Sequence, residues 1–510
     1  MTKSRTLAQT LHRWSLPLLL VVLALAYLPS LGGGYLNWDD PWLVQDNARL
    51  HRASAADFVA AWTDLSFDTR MQFGAEYLPV RDTSLLIESR LIGLTPGGLR
   101  LVNLAAYLAA VVLLRRALRA VCRDDWGAEI VTWLFALHPV HVESVAWIAG
   151  RKDVLALLFV AAALDAYARR GRLHVLWTAL WFALAMLSKS MSIAAVGLLP
   201  LLDLLASRRI GYRAVAASTA VVLVLMPLHL IVGRTVGMTT ALAGGSRTGA
   251  IATMGPVWAR YLACLVWPGE LSIVQDVPSR ASFDVPSVGG YALLAAWAVA
   301  AAVLWWRRNS RTLGIALLAF LIPLAPVSQI FFALQNRMAD RYLWLSVLAP
   351  ALVIASVRRR YRIGGVLVAL AFGGLWLGAT AVRANLFASS VRVFLDATRK
   401  TTMSTMAPYQ LGQAYEAQGD DADAIGAYEE TWQRFQATIR EHPLDASREA
   451  EPARRATNNL AKLLARRGHW EAAEQVLRRG LVYFGADAKM RDNLQRVLAH
   501  RAGERSSPEQ

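Results

Sequence analysis

The sequence is poor in cysteine and in charged residues. Its 510 residues include two cysteines and 18% Asp, Glu, Lys and Arg, whereas about a quarter of a soluble domain is charged. Cys122 and Cys264 lie far apart in the chain, so they form neither a disulfide framework nor a metal-ligand motif. The low charge, the 55% hydrophobic content and the mean hydropathy of +0.35 exclude an ordinary soluble protein of this length.

Charge is absent from long stretches of the chain, and these stretches predict membrane spans, which need about 20 mostly apolar residues. The predicted spans are 14–32, 100–121, 127–148, 152–169, 173–189, 191–206, 213–233, 289–306, 312–333, 342–357 and 363–381. The run 250–272 is interrupted by Arg260, Pro256 and Pro268, so it is either a span or an interfacial helix. From about residue 382 the chain is polar, which marks a domain boundary.

The net charge of +17 is compatible with nucleic-acid binding, but its placement indicates another cause. The arginines cluster in short loops between apolar runs, as the positive-inside rule requires of cytoplasmic loops. The dense clusters are Arg115, Arg116, Arg119 and Arg123; Arg169, Arg170 and Arg172; Arg208, Arg209 and Arg213; Arg307, Arg308 and Arg311; and Arg358, Arg359, Arg360 and Arg362. We therefore predict no nucleic-acid partner.

The same clusters predict the topology. If the N-terminus is cytoplasmic and 250–272 does not cross, all five clusters face the cytoplasm. If 250–272 crosses, the last two clusters move to the outer side and the rule is broken. The charges therefore predict about 11 spans and an extracytoplasmic C-terminal domain.

The polar C-terminal part carries two copies of the tetratricopeptide (TPR) pattern, in which small residues let two antiparallel helices pack closely. The pattern positions are Leu411, Gly412, Tyr415, Gly419, Ala424 and Tyr428 in the first copy and Leu460, Leu464, Gly468, Ala473 and Leu477 in the second. We predict an α-helical polytopic membrane protein with a transmembrane domain at 1–384, whose first extracytoplasmic loop spans 33–98. A TPR α-solenoid follows at 385–500, and a disordered tail at 501–510.

Polar residues at the outer ends of predicted spans are costly and are therefore functional candidates. Asp39 and Asp40 follow the first span, where a carboxylate can act as a general base or metal ligand. The competing interpretation is a loop turn favoured by Pro41.

The next predicted outer turn contains two histidines and a glutamate, His138, His141 and Glu143. This spacing suits metal ligation on a helix, but Pro139 interrupts a regular helix there. A charged, hydrogen-bonding pocket for a phosphate and a sugar fits these residues better.

Cations on the predicted outer face are exceptions to the positive-inside rule. The charged residues at these ends are Arg151, Lys152 and Asp153; Lys189; and Arg337, Asp340 and Arg341. Each cation alone fits snorkelling to lipid head groups, whereas several on one face would attract a lipid phosphate or pyrophosphate. With a carboxylate base, the set predicts a transferase in which an acceptor hydroxyl displaces a lipid-phosphate leaving group.

These residues stand in segments that resemble a known family. The segments NWDD, LHPVHVESVAWIAGRKDVL, LSKS, YLACLVWPGELSI and MADRYLWL, followed by TPR repeats, are similar to those of the transmembrane and tetratricopeptide repeat O-mannosyltransferases and their bacterial relatives. The resemblance covers about 14–485. It implies a GT-C-fold, inverting glycosyltransferase that uses a polyprenyl-phosphate sugar.

The resemblance also implies residue roles. Asp39 or Asp40 would be the catalytic base, with Asp40 preferred. The donor phosphate and sugar would be bound by His138, His141, Glu143, Arg151, Lys152, Asp153, Lys189 and Arg341, with Arg81 and Asp340 as further contacts. The chain departs from the family pattern at Leu78, where the family often has Arg and Arg81 substitutes, at Ser190 and at Arg100. These departures bear on the identity of the donor.

Several functions are compatible with this sequence. The first is transfer of mannose or another hexose to Ser or Thr of exported proteins, with the repeats binding the acceptor or a partner protein. The others are a cell-envelope lipid or polysaccharide glycosyltransferase of the same fold and a non-catalytic TPR assembly scaffold. A divalent cation, Mg²⁺ or Mn²⁺, stays open as a cofactor, because pyrophosphate donors often need one in this fold. We expect a multi-pass protein of the bacterial inner (plasma) membrane with periplasmic repeats.

Overall fold

A computed structural model describes residues 2–122, 124–237, 241–330 and 333–506, and within these ranges the chain is helical and contains no strand. Arg123, residues 331–332 of the predicted span 312–333 and residues 507–510 of the predicted tail lie outside the description. The chain divides into a membrane unit and a repeat unit. The membrane unit comprises Met1–Leu242, Ala250–Leu271 and Phe283–Ser389, and the repeat unit Ala243–Gly249, Ser272–Ser282 and Ser390–Gln510.

Long apolar helices form the membrane unit. Its helices are α1 (Thr2–Leu31), α2 (Ala48–Arg52), α3 (Ala55–Thr63), α4 (Phe67–Gln72), α5 (Pro79–Leu91), α6 (Pro96–Val121), α7 (Asp125–Leu137), α8 (His141–Ala146), α9 (Arg151–Arg169), α10 (His174–Ser188), α11 (Leu198–Leu205), α12 (Tyr212–Thr235), α13 (Arg247–Val266), α14 (Val285–Trp306), α15 (Arg311–Leu324), α16 (Leu348–Arg360) and α17 (Arg362–Leu386). Among the described residues, six helical segments are long and apolar enough to cross a membrane: His12–Leu31, Pro96–Val121, Tyr212–Thr235, Arg247–Val266, Val285–Trp306 and Ile363–Leu386. Shorter apolar helices accompany them. The chain is therefore a multi-pass α-helical membrane protein, as predicted, and the number of about 11 spans stays a prediction.

The predicted span 127–148 consists of separate helical pieces. Helix α7 ends at Leu137, and His138 is extended, with φ −71° and ψ 127°. The cause is Pro139, whose ring disfavours helical geometry at the residue before it. Helix α8 and a 3₁₀ turn at Ile148–Gly150 then lead into α9. This break leaves a short, buried, polar segment between two apolar helices.

Helix α13 covers most of the ambiguous run 250–272. Near its start, the carbonyl of Ala252 accepts a hydrogen bond of 2.8 Å from Ser287 at the beginning of α14. Near its end, the carbonyl of Leu265 lies 3.2 Å from Nε2 of His138, just after α7. The two ends of α13 therefore contact the beginning of one helix and the end of another.

Those two contacts are linked to each other through neighbouring helices of the membrane unit. Helices α14 and α15 form an antiparallel hairpin, so the start of α14 is level with the end of α15. There the carbonyl of Phe320 accepts a 3.0 Å hydrogen bond from Ser346, five residues after Arg341. Arg341 in turn pairs with Glu143, five residues after His138. Helix α13 is itself one of the described helices that are long and apolar enough to cross a membrane, so whether 250–272 crosses stays a prediction.

Ion pairs join the arginine-rich ends of several helices of the membrane unit. Arg170 and Arg208 both pair with Asp203, at 2.5 and 3.3 Å. Arg116 at the end of α6 pairs with Asp165 near the end of α9, at 3.0 Å. The first three predicted arginine clusters are thus connected through shared or neighbouring carboxylates, as expected of loops on one face.

The repeat unit consists of antiparallel helix pairs. Its helices are α18 (Ser390–Lys400), α19 (Met406–Gln418), α20 (Asp421–Glu441), α21 (Ala446–Arg466), α22 (Trp470–Tyr483) and α23 (Ala488–Ser506). The pairs α19–α20 and α21–α22 are the two predicted repeats. Their offset is long because α20 and α21 have 21 residues each. The buried core includes Tyr428, Leu460 and Leu477.

A loop between α13 and α14 belongs to the repeat unit. The carboxylate of Asp276 accepts hydrogen bonds of 2.9 Å from the backbone N–H groups of Met403 and Ser404. Asp445, after α20, accepts from the backbone N–H and the hydroxyl of Ser279, both at 2.7 Å. The repeats therefore bind a segment that lies more than a hundred residues earlier in the chain.

Replacing Gly412 by alanine should destabilise the repeat unit by about 1–3 kcal/mol through overpacking. A Cβ at Gly412 would lie 2.6 Å from ring atoms of Tyr428, which is buried. The matched control is Gly426→Ala on the exposed face of α20, where a Cβ meets nothing within 4 Å; this change should stabilise by about 0.5–1 kcal/mol. Hydrogen exchange of α19–α22 in the full chain measures both effects, and equal protection in the two variants would contradict the packing argument.

Candidate functional site

The segment 138–153 places several predicted site residues close together. Helix α8 carries Glu143, and α9 begins with Arg151, Lys152 and Asp153. Between them, Gly150 packs against the backbone of α8, and a Cβ there would lie 2.5 Å from the carbonyl oxygen of Ser144. Only glycine allows this close approach, which folds the start of α9 back onto α8.

Asp40 connects the first loop to this segment. Its side chain is fully buried. One carboxylate oxygen accepts from the N–H of Leu36 at 2.9 Å, and the other from the N–H of Ala149 at 3.1 Å. Burial raises the pKa of Asp40 to about 6, although the two N–H donors lower it. Both oxygens of Asp40 are thus used to hold the backbone.

Asp39 has a different environment, although it is the adjacent residue. It is partly exposed, and its carboxylate accepts a hydrogen bond of 3.3 Å from the indole N–H of Trp42. Burial raises the pKa of Asp39, while the positive charges of Lys152 and Arg341 lower it. Asp39 therefore lies in the electrostatic neighbourhood of the predicted phosphate-binding cations.

Three of the predicted cations come together, each paired with a carboxylate. The pairs are Lys152–Glu76 at 2.6 Å, Lys189–Asp153 and Arg341–Glu143. The ring of Tyr342 joins two of them, because Lys189 and Arg341 lie 5.9 and 5.7 Å from its centroid, within cation–π range. We call Lys152, Lys189 and Arg341 the cation cluster.

Beside the cation cluster are buried polar atoms that have no hydrogen-bond partner in the described part of the chain. They are Oε2 of Glu143, Oδ2 of Asp153 and the indole nitrogen of Trp147, whose ring lies under Arg341. An unsatisfied buried polar atom costs about 1–3 kcal/mol. Two acceptors and one donor beside three cations match a ligand that carries both hydroxyl groups and an anionic group.

Arg151 is placed differently from the cation cluster. Its guanidinium pairs with both oxygens of Glu88 and donates to the side chain of Asn103, the carbonyl of Leu99 and the hydroxyl of Ser84. The side chains of Arg151 and Glu88 are 1% and 8% exposed. Every N–H group of Arg151 thus has a protein partner, so this residue joins α5, α6 and α9.

The two predicted histidines do not form a shared site. The ring nitrogens of His138 contact the carbonyl of Leu265 and the N–H of Val140, both at 3.2 Å. His141 lies between the rings of Phe135 and Tyr107, at 4.6 and 5.4 Å between centroids. Across the described ranges, no group of three or more His, Cys, Asp or Glu side chains is arranged to hold a metal ion.

The two further predicted contacts also lie in ion pairs. Arg81 is buried and donates to Glu76 at 3.1 Å and to Asp82 at 2.8 Å. Asp340 is buried and accepts from Arg383 at 2.7 Å. Arg81 therefore shares Glu76 with the cation cluster, whereas Asp340 anchors the turn that carries Arg341.

Sequence reasoning missed two acidic residues of the first loop, Glu76 and Glu88. Burial would raise the pKa of Glu76, but Lys152 and Arg81 lower it to about 2, so it is ionised near neutral pH. Glu76 stands directly before the Tyr77–Leu78–Pro79 segment, whose departure from the family pattern at Leu78 gives no indication of the role of Glu76. Nothing local in the sequence distinguishes Glu88 from an exposed helix residue.

Comparison with known proteins finds protein O-mannosyl-transferases. Protein O-mannosyl-transferase TMTC3 of Mus musculus is 25% identical over 388 residues, which cover 66% of this chain and 41% of that protein. TMTC3 of Homo sapiens is 23% identical over 393 residues, with 66% and 42% covered. TMTC2 of Mus musculus is 35% identical over 91 residues, which are 18% of this chain and 11% of the relative.

The chain thus spans less than half the length of the curated TMTC3 relatives that it matches. No family model matches the chain, and no solved structure matches it. The resemblance stated from the sequence motifs is confirmed by these relatives, and the chain is a distant homologue of the TMTC protein O-mannosyl-transferases.

Proposed function

We propose that this chain is a membrane glycosyltransferase that transfers mannose or another hexose from a polyprenyl-phosphate donor to Ser or Thr hydroxyls of exported proteins. The observation that carries the proposal is the cation cluster beside unpartnered buried polar atoms. The cations match a phosphate, and the free oxygens of Glu143 and Asp153 match sugar hydroxyls, which donate hydrogen bonds. The names of the relatives support mannose and a protein acceptor.

The donor phosphate would enter at Lys152. The side chains of Lys152 and Glu76 are 24% and 28% exposed, so this pair is the most open of the three. When Lys152 turns from Glu76 to a phosphate, Arg81 still donates to the same oxygen of Glu76. Glu76 therefore keeps a cationic partner, and the exchange leaves no buried charge unpaired.

Asp39 would be the general base. Asp40 was preferred from the resemblance, but both of its oxygens accept backbone N–H groups, whereas Asp39 is partly exposed near Lys152 and Arg341. Asp39 takes the proton of the acceptor hydroxyl as the hydroxyl oxygen attacks the anomeric carbon of the sugar. The bond from that carbon to the phosphate oxygen breaks, and its electron pair leaves on the phosphate, which the cation cluster stabilises. Attack from the side opposite the phosphate inverts the anomeric configuration.

We assign the site to the extracytoplasmic face of a bacterial inner membrane. The ion-paired arginine ends around Asp203 and Asp165 lie at the far ends of the helices that carry the cation cluster, as expected of cytoplasmic loops. The two TPR pairs would bind the protein acceptor or a partner, since such repeats present an extended surface for peptides.

The test is a transfer assay with a labelled polyprenyl-phosphate mannose and an exported protein rich in Ser and Thr. Wild-type protein in detergent should transfer label, and the rate should fall as the pH is lowered from about 8 to about 4, because only an ionised Asp39 accepts a proton. Since burial raises the pKa of Asp39, the fall should occur at a higher pH than the ordinary aspartate value of 3.8 predicts. Full recovery after return to neutral pH is the control for unfolding. Absence of transfer from both mannose and glucose donors to any hydroxyl acceptor would contradict the proposal.

A further inference from the structure

A second feature lies at the opposite ends of the helices that carry the candidate site. Helix α9 has 19 residues, from Arg151 to Arg169. At this far end, a cavity of about 700 Å³ is formed by residues of α6, α9, α10 and the turn that joins α9 to α10. At a helical rise of about 1.5 Å per residue, the two ends of α9 are about 27 Å apart. The cavity is therefore separate from the cation cluster and does not depend on the proposed function.

One end of the cavity is basic. Arg116, Arg169 and Arg172 line it against a single carboxylate, that of Asp165. Asp165 already pairs with Arg116 at 3.0 Å. Arg169 and Arg172 are exposed, and in the described part of the chain neither forms a hydrogen bond or an ion pair. Two guanidinium groups are thus available to an anion at the mouth of the cavity.

The other end of the cavity is apolar and aromatic. The rings of Phe159, Trp181 and Trp177 form a continuous stack, with centroid separations of 5.9 and 6.0 Å and interplanar angles of 13° and 23°. Trp177 is 44% exposed, so this wall opens sideways from the protein. Trp177 lies on α10, one of the shorter apolar helices of the membrane unit, and α9 corresponds to the predicted span 152–169, so we infer that the opening faces lipid.

The length of the cavity matches one leaflet of a bilayer. Phe159 precedes Arg169 by ten residues of α9, which correspond to about 15 Å along the helix. Half of a hydrocarbon core of about 30 Å has the same thickness. A water-soluble anion would use only the arginines, and a neutral lipid would use only the aromatic wall. An occupant that uses both has an anionic head and a chain as long as one leaflet.

We propose that this cavity binds an anionic phospholipid of the leaflet that the arginine-rich loops face. The head-group phosphate lies on Arg169 and Arg172, and one acyl chain runs along Phe159, Trp177 and Trp181. Basic pockets between membrane helices on the cytoplasmic side are suited to anionic head groups, and that leaflet carries the anionic lipids.

The test is native mass spectrometry of the full chain, purified in a mild detergent and supplied with phosphatidylglycerol or phosphatidylcholine of the same acyl chains. We expect one phosphatidylglycerol to be retained and phosphatidylcholine to be retained about tenfold less. The double substitution Arg169→Gln/Arg172→Gln should lower retention of phosphatidylglycerol about tenfold. The matched control is Arg209→Gln/Arg213→Gln, which removes two exposed arginines of the same face that do not line the cavity, and it should change retention less than about twofold.

Three results would overturn the proposal. Equal retention of the two phospholipids by the wild-type protein would remove the role of the head group, and this comparison needs no variant. Equal losses of phosphatidylglycerol retention in the two double variants would show that the lipid is attracted to a basic surface in general and does not bind at a specific site. Preferred retention of an added polyprenyl phosphate over phosphatidylglycerol would assign the cavity to the carrier lipid.

A further variant tests the part of the cavity that would hold the acyl chain. Trp177→Ala should lower retention of both phospholipids, and unchanged retention would contradict a role of the aromatic wall in lipid binding.

Discussion

Replacing Asp39 by asparagine is expected to lower the rate of sugar transfer about 10²–10⁴-fold, the usual contribution of a general base. The fold should survive, because Asp39 is partly exposed and its one hydrogen bond, from Trp42, can also be accepted by an amide oxygen. Initial rates at saturating donor measure the effect. The KM for the donor should change little, since in the proposed mechanism Asp39 acts on the acceptor hydroxyl.

Asp40→Asn is the matched comparison, and it should act mainly on stability. Each carboxylate oxygen of Asp40 accepts a backbone N–H, from Leu36 and from Ala149. An asparagine amide directs its NH₂ group at one of these donors and leaves a buried N–H unpaired, at a cost of about 1–3 kcal/mol. Thermal unfolding should show this loss. If Asp39→Asn transfers sugar normally while Asp40→Asn is inactive with an unchanged Tm, the two roles must be exchanged.

Replacing Arg151 by methionine is expected to destabilise the protein by about 3–5 kcal/mol, because it leaves the carboxylate of Glu88 buried without its cation. The side chain of Glu88 is 8% exposed, and its partner is 1% exposed. Thermal unfolding in detergent measures the loss. Adding Glu88→Leu to Arg151→Met should recover most of the stability, because the uncompensated charge is then gone.

Lys152→Met is the control, since Lys152 is the neighbouring residue but belongs to the cation cluster. Its pair with Glu76 is about one quarter exposed, and Glu76 keeps Arg81 as a partner. This variant should fold normally and raise the KM for the donor about tenfold, in line with the loss of one charge-assisted contact. A normally folded Arg151→Met with a raised KM would return Arg151 to the phosphate-binding role that the family resemblance implied.

The sequence predicted the helical architecture because hydropathy and packing signals are local. Runs of about 20 apolar residues predicted five of the six described helices that are long and apolar enough to cross a membrane, and the small residues of the TPR pattern predicted both helix pairs of the repeat unit. Pro139 also indicated the break after α7. These features depend on neighbours within one or two helical turns, so a single sequence carries them.

The pairing within the candidate site could not be predicted in the same way. Glu76 and Lys152 are 76 residues apart, and Glu143 and Arg341 are 198 residues apart. No periodic pattern connects positions at such separations. The sequence therefore predicted the cations of the site, whereas the carboxylates that pair with them could be identified only from the fold.

The two aspartates of the first loop show the same limit at the shortest distance. Asp39 and Asp40 are adjacent, yet one is partly exposed and within electrostatic influence of Lys152 and Arg341, and the other holds the backbone of Ala149, 109 residues away. Asp39 ends the turn at residues 37–39, whereas Asp40 directly precedes the π-helical turn at Pro41–Gln45. The two residues are of the same type and occupy neighbouring positions, so the sequence cannot show which one is the base. Only the path of the backbone distinguishes Asp39 from Asp40.

The pairing of every cation in the cluster has a consequence for competition in the membrane. Ordinary phospholipids also carry phosphates, and they greatly outnumber any sugar carrier. Three unpaired cations would be occupied by these phosphates for most of the time. Because each cation already has a carboxylate, a phosphate must compete with that carboxylate, and only at Lys152 does the displaced carboxylate, Glu76, keep a second cation, Arg81. In the proposed function a sugar phosphate would also donate hydroxyl hydrogen bonds to the free oxygens of Glu143 and Asp153, so the paired cations would favour the rare glycosylated lipid over the abundant phospholipids.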